Sequence, residues 1–255
     1  MSKSIGFFDS GFGGLNILKE VVKELPEYNF IYLGDTARVP YGTRSKNLIY
    51  QFTEQAVDFL FNKNCQLIIL ACNTASCDAL RKIQQEYLPK KHSDRRVLGV
   101  LIPAAEEAES KTKNNRIGIM ATEGSVSSGA FEREIRKLNL KVKVIQQSCP
   151  LLVPLIESGE KNSILMNLAL EKYLQLLINK NIDTLILGCT HYGIIKNKIQ
   201  KQVGNNVKII SEGQVVAKKL KDTAGAVIEE FEKNFETLLE EPEKGRSRQI
   251  AIPAD

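Results

Sequence analysis

The sequence predicts an α/β fold of two similar domains, each built on a largely parallel sheet, with a cleft between them. Three observations carry this expectation. Short apolar runs alternate with helical patterns along most of the chain, the order that lays parallel strands in a sheet and helices on its faces. The runs are continuous rather than alternating, as strands covered on both faces require. Two strand–loop–helix units also recur in the same order. Ile5-Gly6-Phe7-Phe8-Asp9-Ser10-Gly11 is matched 112 residues later by Ile117-Gly118-Ile119-Met120-Ala121-Thr122-Glu123-Gly124-Ser125. Leu67-Ile68-Ile69-Leu70-Ala71-Cys72-Asn73-Thr74 is matched by Leu185-Ile186-Leu187-Gly188-Cys189-Thr190-His191, with the cysteines 117 residues apart.

In chain order, Ile5–Phe8 reads as a strand ending at the turn Asp9-Ser10-Gly11, and Leu15–Leu25 as the helix that follows. Phe30–Leu33 is a second strand and Leu48–Asn62 a helix. Leu67–Ala71 is a strand closed by Cys72, with a helix over Ser76–Tyr87 and a strand over Val97–Leu101. The second half repeats the pattern: strand Ile117–Ala121, helix Ser128–Leu138, strand Val142–Ile145, helix Lys161–Asn179, strand Thr184–Leu187, helix Ile194–Gln202 and strand Val207–Ile210. Residues 1–98 with 208–255 are expected to form the first domain and 99–207 the second. Further on, Ala226–Glu240 reads as an acidic helix, Glu241 onward as a loop, and Arg248–Ile252 as an edge strand or a loose end.

Composition narrows the function. Of 255 residues 43% are hydrophobic and 25% charged, ordinary for a globular protein, and no apolar run approaches the ~20 residues that cross a bilayer. The N-terminal stretch turns polar at Asp9 and lacks the apolar core of a signal peptide. The five cysteines (65, 72, 77, 149, 189) form no dense framework. Together these point to the cytoplasm and away from a membrane. The net charge of +5 is spread among acidic residues, and the one basic stretch, Lys90–Arg96, has no interleaved aromatics. Nucleic acid is therefore not an expected partner. The glycines of Asp9-Ser10-Gly11-Phe12-Gly13-Gly14 permit close backbone approach. They do not form G-x-G-x-x-G, and no Gly-Lys-Ser/Thr follows.

Cys72 and Cys189 each close a strand and precede a helix, where unpaired N–H groups and the helix dipole favour a thiolate. Cys65, Cys77 and Cys149 lack that setting. Burial, a disulfide and a zinc site are the alternatives. There is no C-x-x-C, and neither Cys72-x4-Cys77 nor Cys189-x-His191 has standard zinc spacing. Two thiols facing one cleft suit another chemistry. Inverting a carbon centre by proton transfer needs a base on one face and an acid on the other. Ser10, Asn73, Thr74, Thr122, Ser125 and Thr190 fall on strand-end loops where they could bind carboxylates with helix N–H groups; taken singly, each Ser or Thr is better explained as a helix cap, with Thr74 or Ser76 serving the first helix and Thr190 the second. Asp9 could pair with an ammonium group, and His191 could exchange a proton or stabilise a thiolate.

Five motifs resemble glutamate racemases of the aspartate/glutamate racemase family. They are Phe8-Asp9-Ser10-Gly11-x-Gly13-Gly14, Gly34-Asp35-x-Ala37-Arg38-x-Pro40-Tyr41-Gly42, Ala71-Cys72-Asn73-Thr74-Ala75-Ser76, Val153-Pro154-Leu155-Ile156-Glu157 and Gly188-Cys189-Thr190-His191-Tyr192. The likeness runs from about residue 5 to about residue 220. It implies two α/β domains with the site between them, no pyridoxal phosphate, no metal, and often a homodimer. It further implies that Cys72 acts on D-glutamate and Cys189 on L-glutamate, with Asp9, Glu157 and His191 as supporting acid–base residues. Ser10, Tyr41, Gly42, Asn73, Thr74, Thr122, Ser125 and Thr190 would line the substrate site, and the product would supply bacterial peptidoglycan. Ser125 stands where the family usually has threonine, and Phe131 where tyrosine is common. An aspartate racemase or related acid isomerase of the same fold is the nearest alternative, and an inactive binder of acidic amino acids the next.

Overall fold

The computed structural model describes residues 4–222. The helix, loop and strand expected from Ala226 onward lie outside the described residues.

Among the described residues, eight strands form two four-stranded sheets of the same topology. The first holds β1 (Ser4–Asp9), β2 (Asn29–Gly34), β3 (Leu67–Leu70) and β4 (Arg96–Gly99) in the order β2-β1-β3-β4. The second holds β5 (Arg116–Ala121), β6 (Lys143–Ser148), β7 (Thr184–Gly188) and β8 (Lys208–Ile210) in the order β6-β5-β7-β8. Every pairing is parallel, which explains the continuous apolar runs. Successive side chains of β3 enter opposite cores. Ile68 and Leu70 pack with Ile49, Val57 and Leu60 of the helix Lys46–Asn62. Leu67 and Ile69 pack with Ile17 and Val21 of the helix Leu15–Glu24 and with Val216, Ala217 and Leu220. In the second sheet Leu185 and Leu187 meet Met166, Leu170 and Leu174 of the helix Ile164–Ile178, while Ile186 faces Ala104, Ala108 and Ile135. Each such side chain taken from water contributes about 1.5–3 kcal/mol.

Register positions the site. Phe8 pairs with Leu70, and Ala121 with Gly188. The loops after β1 and β3 therefore emerge side by side, as do those after β5 and β7. The equivalent third strands lead to Cys72 and Cys189.

Several boundaries differ from expectation. The strand Lys208–Ile210, assigned from the sequence to the first domain, hydrogen-bonds to β7 in the second sheet. The chain returns to the first core only after it, through Val216 to Leu220 on a helix over 212–222. The apolar run Val97–Leu101 is two elements: the strand ends at Gly99, and Leu101–Lys111 is a helix whose Pro103 sits in the first turn, where a missing N–H costs nothing. The helix expected over Ser76–Tyr87 begins three residues earlier, directly after Cys72, and breaks into shorter turns that run to Lys91. A short helix, Glu123–Ser128, precedes Ala130–Leu138, with Gly129 at φ 63° between them. That left-handed conformation suits glycine and divides what reads as one periodic run. The helix Leu152–Glu157 is too short for periodicity to reveal.

Candidate active site

Cys72 and Cys189 line one cavity between the two sheets, one contributed by each half, together with Ser10, Tyr41, Gly42, Asn73, Thr74, Thr122, Thr190 and His191. Cys72 caps the helix Asn73–Asp78, and Cys189 caps a 3-10 turn, Thr190–Ile195. Both are buried. Cys72 Sγ donates to Ser10 Oγ at 3.4 Å, and Cys189 Sγ lies 3.8 Å from His191 Nδ1.

Three residues expected at the site lie behind its walls. Asp9 is fully buried and accepts from the backbone N–H of Gly14 at 3.0 Å and Gly11 at 3.3 Å. The hydroxyls of Thr190 and Tyr32 also donate to it, at 3.4 and 3.5 Å. It is thus already satisfied from the protein, not placed to meet an ammonium directly. Glu157 Oε1 is 3.0 Å from His191 Nε2. Ser125 is fully buried, its hydroxyl accepting from Thr122 at 3.0 Å. Glu157, His191, Thr190 and Asp9 make a chain of polar contacts, since Thr190 Oγ1 is also 3.4 Å from His191 Nδ1.

The expected capping roles do not form at the cysteines. Neither helix after a cysteine has a side-chain cap. Ser76 instead donates to the Leu70 carbonyl at 2.8 Å, and Thr74 Oγ1 meets Thr122 Oγ1 at 3.0 Å across the cleft. Among the hydroxyl residues expected at the site, Thr122 does cap a helix, accepting from Ser125 N at 3.3 Å. Thr74 and Thr190 are thereby free of the role that argued against them as site residues.

The two halves touch closely here. Gly124 N donates to the Gly42 carbonyl at 2.9 Å. A Cβ on Gly42 would sit 2.8 Å from Thr122 Cβ, and one on Gly13 would lie 2.3 Å from Thr190 Oγ1. Glycine at these positions is what lets the loops close on the site. Tyr41 is held by donating to Asp35 at 2.5 Å.

The thiols are weaker acids than their places at helix N-termini alone suggest. Burial, reinforced by the nearby Asp9 charge, pushes Cys72 up to about 11, against the pull of the Ser10 hydroxyl and the N–H groups of Ala75 and Ser10. Burial also holds Cys189 well above the usual thiol range, with Cys72, Asp9 and Glu212 adding to it and the His191 N–H opposing. Desolvation outweighs the dipole because both sulfurs are cut off from water. Burial raises Asp9 as well, opposed by the Gly14 N–H, the His191 charge, the Gly11 N–H and the Thr190 hydroxyl.

Val39, Pro40, Val153 and Pro154 add an apolar wall. They belong to motifs noticed in the sequence, but apolar residues in loops carry no signal of ligand contact. Thr43, Glu123, Cys149 and Pro150 also line the cavity unexpectedly, and Glu212 beside it was missed as well. Glu212 is buried and accepts from Asn73 Nδ2 at 2.8 Å, yet a lone acidic residue in Ser211-Glu212-Gly213 has nothing to mark it.

Two domains of matching topology close on one small cavity at the carboxyl ends of their strands, with one cysteine from each half in its wall. Comparison with known proteins gives the family. The Asp/Glu/Hydantoin racemase family model matches residues 14–220. The glutamate racemase of Geobacter metallireducens is 41% identical over 217 residues, covering 85% of this chain and 78% of that protein. A glutamate racemase isoform from Bacillus anthracis superposes with a TM-score of 0.83 at 31% identity, covering 94% of both chains. The Francisella tularensis glutamate racemase, solved with D-glutamate, gives a TM-score of 0.77 at 36% identity over 93% of this chain and 83% of that one. The chain belongs to the Asp/Glu/Hydantoin racemase family.

Proposed function

We propose that this protein is a glutamate racemase that interconverts L- and D-glutamate through Cys72 and Cys189, one thiol on each face of the α-carbon. The observation that carries the reading is the pair of cysteines at equivalent positions of the two halves, lining one cavity. In one direction the Cys72 thiolate takes the α-proton of D-glutamate, and the Cys189 thiol returns a proton to the opposite face, giving L-glutamate. The reverse reaction starts from the Cys189 thiolate. The bond broken and the bond formed are both to hydrogen at one carbon, so no oxidant, reductant or cofactor is needed for balance.

His191 is the nearest imidazole to Cys189 and can take up or return its proton, with Glu157 fixing the ring through Nε2. Asp9 holds the glycine loop and Thr190 from beneath, and its charge bears on both thiols. No Lys or Arg is among the described residues lining the cavity. The two substrate carboxylates would then be held by hydroxyls and backbone N–H groups, a binding mode suited to helix N-termini. Glutamate is favoured over aspartate because relatives at about 40% identity are glutamate racemases. The family likeness also supports a role in the cytoplasm, supplying D-glutamate for peptidoglycan.

The test is a circular-dichroism assay of purified protein with each enantiomer of glutamate and of aspartate, before and after chelator treatment. Glutamate signal should decay to zero from either side, with chelator having no effect. Turnover of aspartate alone, or binding without turnover, would contradict the reading.

A further inference from the structure

Asn73 follows Cys72, opens the helix Asn73–Asp78 and lines the substrate cavity. Its Nδ2 donates to Glu212 Oε2 at 2.8 Å, across 139 residues of sequence. Glu212 lies at the start of the 212–222 helix, in a separate cavity that reaches Cys189 and Thr190 from behind. Asn73 is 2% exposed and Glu212 4%. After their mutual bond, Asn73 Oδ1 and Glu212 Oε1 are both buried with no hydrogen-bond partner among the described residues. A bare buried acceptor is costly unless a ligand or water satisfies it. Such an oxygen on a residue lining the cavity is a place where a ligand's donor is expected.

The amide can be turned either way. Glu212 holds Nδ2, which leaves Oδ1 as the amide atom without a partner. An amino acid brings one strong donor, its α-ammonium. The geometry points to Glu212 as a positioning residue: it fixes the Asn73 carboxamide with Oδ1 available to accept from the substrate's ammonium group. This rests on the reading of the site as an amino-acid racemase. Burial raises the Glu212 carboxyl well above the usual range, opposed by the Asn73 N–H and aided by the Asp9 charge. Its Oε2 is the oxygen that accepts from Asn73. Glutamine at this position would keep that acceptor.

The experiment compares the parent protein with Glu212→Gln and Glu212→Leu. Racemisation gives KM and kcat, and calorimetry gives binding of glutamate and of glutarate, which lacks the amine. Glu212→Gln should keep KM within about twofold, while Glu212→Leu should raise it about tenfold for both enantiomers with kcat little changed. Glutarate affinity should be the same in all three proteins, because it does not use Oδ1. If the leucine variant fails to fold, Glu212→Ser, too short to reach Asn73, takes its place. An unchanged KM in Glu212→Leu, or equal losses for glutamate and glutarate, would overturn the inference while leaving a racemising parent intact. A parent that neither binds nor racemises glutamate would sink the functional reading, and this inference with it.

Discussion

Burial and the helix dipole compete at Cys72 and Cys189. Both sulfurs sit where a helix begins, yet both keep their protons in the ligand-free protein because they are shut away from water beside the Asp9 carboxylate. Removing that charge should therefore favour the thiolate. In a Cys189→Ser background, the pH dependence of alkylation at Cys72 should have its midpoint at about 11. Adding Asp9→Asn should move the midpoint down, since a negative neighbour raises a thiol and its loss lowers it. Mass spectrometry of the Cys72 peptide reads this directly. An unchanged or higher midpoint would show that Asp9 does not govern the thiol. At this scale the sequence was informative about which cysteines matter. It was silent about their acidity, because depth of burial is set by loops from both halves.

Helix and strand ends show the same division. The parallel strands were legible because their apolar runs serve two cores at once, as β3 does. The junction after Gly99 was not, because Val100 and Leu101 continue the apolar run although the backbone has turned into a helix. Where an element begins often depends on one polar side chain. Asp183, just before β7, accepts from Thr112 Oγ1 at 2.7 Å, from Lys113 N at 2.6 Å, from Asn114 N at 2.7 Å and from Thr184 Oγ1 at 3.0 Å. Burial raises its carboxyl, but those four donors outweigh it and hold it below the usual carboxylate range. Asp183→Ala should lower stability by about 1–3 kcal/mol at neutral pH. A carboxyl depressed in the folded state stabilises above its unfolded value, and that contribution fades as pH falls through the folded value. Urea unfolding should thus show parent and variant converging as pH falls below the usual carboxylate range. A difference that persists unchanged in acid would assign the loss to packing.

At the scale of the whole molecule, a repeated topology places equivalent strand ends face to face. The sheets β2-β1-β3-β4 and β6-β5-β7-β8 correspond strand for strand, so the internal repeat seen in the sequence predicts a shared cleft. What it could not give is the crossing between halves: β8 joins the second sheet, and Glu212 beyond it reaches back to Asn73. Contacts formed by sequence-distant single residues leave no periodicity to read. The central claim is that the cleft divides labour between two thiols, and elimination from a β-chloro amino acid tests it most directly. Losing the α-proton and chloride from such a substrate needs only one base, whereas racemisation needs both. Serine is too weak an acid to replace either thiol. Cys72→Ser should eliminate chloride from the L-enantiomer alone, Cys189→Ser from the D-enantiomer alone, and neither should interconvert glutamate. Racemisation near the parent rate by either single variant would contradict the two-thiol account.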